Sequence, residues 1–73
     1  MLKPILALLD SAEIYTCKLI AHHRGALEMS KIALAEIKES ETRKTAQKVI
    51  AAQTREIADL QSWLKRHGKS PQN

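Results

Sequence analysis

Phenylalanine is absent from this 73-residue chain; one Trp and one Tyr are its only aromatic residues, and it has two Gly, two Pro and one Cys. The lone Cys17 excludes an internal disulfide, and no Cys/His spacing of the zinc-finger kind is present. Little Gly and Pro beside abundant Ala, Ile, Leu, Lys, Glu, Gln and Arg is the composition of long helices rather than of sheets. No apolar run approaches the roughly 20 residues of a membrane span, and Ile5 to Leu9 is shorter than a usual signal-peptide core. The chain is too short for more than one domain, so 1–73 reads as a single all-α module. A chain of this size buries only about 60% of the surface that its unfolded form exposes. Its stability must come from helix packing or from association.

Twelve Lys and Arg against eight Asp and Glu give a net charge of +4. The signs alternate along the chain, with opposite charges at helical spacing in Arg24/Glu28 and Arg55/Asp59, which describes a solvated face. Only Lys65, Arg66, His67 and Lys69 form a small basic end, suited to a helix C-terminus. No nucleic-acid partner is expected; strong salt dependence would be the mark of one.

Pro4 fits a first helical turn, so residues 1–9 read as a lead-in. Asp10 followed by Glu13 resembles a capping box and starts the main helix, which runs to about Lys38. Glu39 and Ser40 interrupt the apolar period. Ser40 is the expected cap of a second helix, about 41–67, with Glu41 in its first turn and Gly68 as its stop. Residues 69–73, containing Pro71, read as a flexible tail. Two helices of this length, each about 40 Å at roughly 1.5 Å per residue and joined by so short a turn, form an antiparallel hairpin.

The second helix carries one seam, through Ala46, Ile50, Gln53, Ile57, Leu60 and Leu64, with Val49 and Trp63 beside it. The first carries two: Tyr15, Leu19, His22, Ala26, Met29 and Ala33, and next to it Ile20, His23, Leu27, Ser30, Leu34 and Ile37. Two seams expect two neighbours, and a single hairpin supplies one. The economical solution is a four-helix bundle formed by two hairpins, a homodimer.

With the turn near residue 40, a residue at position n lies level with one at about 80 − n along paired helices. His22 and His23 then lie beside Glu56 and Ile57, and Leu27 beside Gln53. Buried polar groups need partners, so one layer lets them satisfy each other. The histidines, about 100° apart on the helix, cannot face one neighbour equally. They read either as hydrogen-bonding groups or as ligands, with Met29 two turns on as core filler or as a soft donor for Cu(I) or Ag(I). Trp63 and Tyr15 read as packing at the open end, and Gly25 as the mark of a close helix crossing. No Glu has His three residues later, and there is no P-loop, dinucleotide fingerprint or His-Glu-x-x-His helix. Nothing combines a nucleophile, a base and an oxyanion site, so no enzyme is expected.

Leu19-Ile20-Ala21-His22-His23-Arg24-Gly25-Ala26-Leu27-Glu28-Met29, then Ala46, Ile50-Ala51-Ala52-Gln53, Glu56-Ile57 and Trp63-Leu64, resemble the bacterial domain-of-unknown-function 305 family. Its pattern is a Met-Ile-x-His-His-x-x-Ala-x-x-Met helix and an Ile-x-x-Gln-x-x-Glu-Ile-x-x-Met-x-x-Trp-Leu helix. The resemblance spans roughly Asp10 to Leu64 and implies a ferritin-like four-helix fold, of which this chain is one hairpin repeat. It implies an exported or periplasmic setting, and copper or silver binding through Met and His. Carried onto this chain, those residues are His22, His23 and Met29. Two family methionines are Leu19 and Leu60 here, a near volume-conserving change that the fold tolerates and soft-metal affinity does not.

Two functions follow. One is a non-enzymatic module holding copper or another transition metal through His22, His23 and Met29, with Glu56 as ligand or hydrogen-bond acceptor. The other is a structural or protein-interaction hairpin without metal, whose polar layer, including Gln53, sets register among the packing residues Leu19, Ile50, Ile57, Leu60, Trp63 and Leu64.

Overall fold

The computed structural model describes residues 10–72; the expected lead-in at 1–9 lies outside them. Asp10, in extended backbone, opens the first helix: its side chain accepts the Glu13 N–H at 2.7 Å, satisfying one of the free donors of the first turn. Helix α1 then runs over Ser11–Glu36. It stops at Ile37, whose extended backbone carries the chain outward. No basic residue stands in the last turn of α1. The need is met from the other helix: the Arg43 guanidinium donates to the carbonyls of Leu34 at 2.5 Å and Ile37 at 3.0 Å.

Helix α2 spans Ser40–Arg66, and its cap is Glu39 rather than the expected Ser40. One Glu39 carboxylate oxygen takes the Glu41 N–H at 2.7 Å. The other takes the Thr42 N–H at 3.0 Å and the Thr42 hydroxyl at 2.5 Å. Two carboxylate oxygens satisfy more of the free donors than a serine hydroxyl can, which is why the helix begins one residue earlier than its sequence implies. The far end closes on Gly68 with φ +70°, the left-handed conformation glycine adopts freely. Lys69 N–H bonds to Leu64 O at 2.8 Å and Gly68 N–H to Lys65 O at 3.1 Å, the paired bonds of a Schellman stop.

The described residues thus form an all-helical antiparallel hairpin. His23 meets Glu56, the register that a turn near residue 40 implies. The molecule is 16 Å across its thinnest dimension, one layer of helices. A single layer encloses one seam. Ile20 and Leu64 are fully buried, Ala46 nearly so, and these three are the buried apolar residues among those described. Among the described residues no helix is long and apolar enough to cross a membrane.

The segment after Gly68 contacts both helices: Lys69 Nζ lies 3.2 Å from Asp10 and 3.4 Å from Glu13, and Gln72 exchanges hydrogen bonds with Gln61. The Gly68 reversal sends the segment back along the hairpin, where these partners can reach it. Gly25 marks no close crossing within the hairpin, since a Cβ there would meet nothing within 4 Å. It lies on the side of α1 turned away from α2.

Candidate functional site

Of the two seams on α1, the one through Ile20, His23, Leu27, Ser30, Leu34 and Ile37 faces α2, every member buried or half-buried. The other, through Tyr15, Leu19, His22, Ala26, Met29 and Ala33, runs along one flank of the hairpin. Its members at seven-residue intervals, Tyr15, His22 and Met29, are exposed, Tyr15 to 66% and Met29 to 67%. Tyr15 therefore does not pack at the open end of a single hairpin. Trp63 does: its ring stacks on His67 at 4.0 Å between centroids and 21° between planes. His67 was legible only as part of a basic end; its ring also bonds the Trp63 carbonyl at 2.8 Å.

The two histidines part company as their spacing requires. His22 is exposed in the stripe, whereas the His23 side chain is 15% exposed and its Nε2–H donates to Glu56 Oε2 at 2.5 Å. The other ring nitrogen, Nδ1, is buried without a partner, as is Gln53 Oε1 on the facing seam. The polar layer is thus half satisfied. Beside it Leu19, His23, Glu56, Asp59 and Leu60 line an open groove of about 250 Å³. Leu19 and Leu60, where the family pattern has methionines, share this groove, and Asp59 adds a second carboxylate, which its spacing had marked only as a partner of Arg55 on a solvated face.

Ile50, Ile57, Leu60 and Trp63 are half-buried along the α2 seam, Leu64 is buried, and Leu19 is half-buried at the groove. Glu56 is half exposed. Of the four donors expected to hold a metal, only His23 and Glu56 come together. His22 points off the layer and Met29 lies in the exposed stripe. Among the described residues no three His, Cys, Asp or Glu side chains converge into a cage. One hairpin does not bring the four expected donors together, because adjacent histidines diverge by about 100° on a helix.

A sequence model of the family described as a domain of unknown function (DUF305) matches residues 13–73. The chain belongs to this family. Comparison with curated proteins and with solved structures gives no match. The DUF305 match takes in the His-His helix, the Gln53/Glu56 turn of α2 and the docked segment after Gly68. The elements that build the polar layer therefore fall within one DUF305 unit, and Asp10, which caps α1 and pairs with Lys69, precedes the matched residues.

Proposed function

We propose that this DUF305 hairpin is an association module: half of a four-helix bundle, completed by a second copy, with the His23/Glu56/Gln53 layer setting register. One observation carries the reading. Tyr15, Leu19, His22, Ala26, Met29 and Ala33 form a heptad stripe along one flank of the hairpin, in which Tyr15 and Met29 are two-thirds exposed, His22 is exposed, and Leu19, Ala26 and Ala33 are half-buried. Val49, Leu60 and Trp63 flank the same side from α2. A contiguous apolar surface on a one-layer molecule marks a contact surface, and a self-complementary stripe suits two-fold pairing. Sedimentation equilibrium tests it: the expected species has twice the 8.2 kDa chain mass at micromolar concentration. Tyr15→Glu with Met29→Glu, both on exposed positions, should give a folded monomer. A wild-type chain that stays helical and monomeric at tens of micromolar overturns the reading.

The same surface favours a second reading of the site. His22 and Met29 lie in the stripe and His23/Glu56 at its edge, so the donors scattered in one hairpin all border the side that a second copy would cover. Copper or a related ion would then be held between copies. Calorimetric titration with Cu(I), Cu(II), Ag(I) and Zn(II), beside the solution mass, tests it; no heat for any ion, with the dimer intact, leaves association without metal.

A further inference from the structure

A layer of two helices has two broad sides, and the second is dressed differently from the first. At about 100° per residue, Glu13, Cys17 and Arg24 lie on the flank of α1 opposite the Tyr15/Met29 stripe, and Gln61 lies on the matching flank of α2. The segment after Gly68 runs there. Lys69 pairs with Asp10 and Glu13, the Gln72 backbone exchanges bonds with the Gln61 amide, and Arg24 Nη2 donates to Gln72 O at 2.5 Å. Gln72 thus ties α1 to α2 across the groove between them, within a turn of the fully buried Ile20 and Leu64. Farther along, the same side carries Lys31 and Arg43, with Arg43 turned to the carbonyls that end α1.

We infer that residues 69–72 are a built-in cover over the open-end half of one broad side of the hairpin, which blocks self-association there and directs assembly to the other side, where it stops at two copies. The inference rests on the association reading above and adds its limit. A helical layer able to pack on both sides propagates by stacking, whereas a layer with one side covered can only close on itself. The cover meets that need with backbone hydrogen bonds and ion pairs from a segment whose direction Gly68 sets. It also places polar groups over the groove that would otherwise receive a third and fourth layer.

The test compares the full chain, a chain ending at Gly68, and a full-length Gln61→Ala/Lys69→Ala variant that loosens the cover without shortening it. Sedimentation velocity over a hundredfold concentration range is read beside hydrogen exchange at residues 11–24 and 57–66. The full chain should plateau at two copies, and both altered chains should pass that plateau into larger species. Exchange near Ile20 and Leu64 should quicken at least tenfold at concentrations where the altered chains remain small. If the altered chains keep the plateau of two, the cover inference is overturned and the association reading stands. If the full chain is monomeric throughout, the association reading falls; the cover survives only if the altered chains begin to associate, and is overturned if they do not. Should the shortened chain lose its helical circular dichroism, the point variant decides.

Discussion

His23 donates from Nε2 to Glu56 at 2.5 Å while its other ring nitrogen, on the far side of Cε1, is buried with no partner. The two ends of this pair sit in different media, for the Glu56 side chain is 51% exposed and that of His23 15%. Removing either partner should therefore cost unequally. Glu56→Ala strips the only bonded nitrogen of a mostly buried ring and should destabilise the fold by about 1 kcal/mol, the low end for an orphaned buried group because water reaches that side. His23→Leu leaves Glu56 to water and removes the orphan nitrogen, so it should be neutral or stabilising. Urea unfolding of both variants checks the asymmetry; equal losses would show that the pair acts as a plain surface ion pair.

Gln53 makes the same point from the other helix. Its buried Oε1 has no partner, so Gln53→Leu replaces an unsatisfied polar atom with apolar volume and should stabilise the fold by roughly 1–2 kcal/mol. A polar residue kept at such a position in paired helices commonly specifies register at the expense of stability. The stabilised variant should then show a broader mixture of oligomers by native mass spectrometry. Greater stability with an unchanged single species would remove the register role.

Helix existence, the hairpin and its register were legible because period, caps and a short turn all point one way. Three details were not. Glu39 rather than Ser40 caps α2, because sequence rules rank caps by residue type and not by how many donors a longer carboxylate spans. The docking of 69–72 depends on Gln61 and Gln72, residues without a pattern, meeting only after Gly68 reverses the chain. At the candidate site, the sequence brought His23 and Glu56 to one level. It left open which histidine turns inward, a choice fixed by about 100° of helix phase that becomes visible only once the α2-facing seam is known.

Stability should fall away at both extremes of pH. The Glu13 backbone N–H and then Lys69 hold the Asp10 carboxyl below its ordinary value, and the Thr42 hydroxyl, with the Glu41 and Thr42 N–H groups, does the same for Glu39. A depressed carboxylate contributes stability that is fully present above the ordinary value, near about 4, and is lost as pH falls through the lower folded one. Lys69 is raised by its bond to Asp10 and by the charges of Asp10 and Glu13, so its contribution is present below the ordinary lysine value, about 10.4, and is lost as pH rises through the folded one. Thermal unfolding followed by circular dichroism should show the alkaline loss disappear in Lys69→Met and the acid loss shrink in Asp10→Asn.

Leu64 and Met29 separate the interior of one hairpin from the surface offered to another. Leu64 is fully buried, and Leu64→Ala should cost about 2–5 kcal/mol at any protein concentration, since it empties the seam itself. Met29→Ala removes a side chain that is 67% exposed in the single hairpin. Its effect on a monomer should be near zero, so a concentration-dependent drop in melting temperature would report burial by a second copy.

Gly25 gives a sharper reading of the side turned away from α2. A helix-interior glycine is about 1 kcal/mol less favourable than alanine, and nothing in the hairpin stands within 4 Å of the Cβ that alanine would add. Gly25→Ala should therefore stabilise the isolated hairpin by roughly that amount, measured in urea at low micromolar concentration. In the bundle the same methyl group tests where the second copy lies. Gly25 stands three residues after His22 and four before Met29, so it borders the Tyr15/Met29 stripe on the helix surface, and a partner seated over that edge should erode the gain as concentration rises. If the gain persists unchanged at high concentration with the dimer intact, the two copies meet on the α2-proximal edge of the stripe, at Leu19 and Ala26, rather than over His22 and Met29.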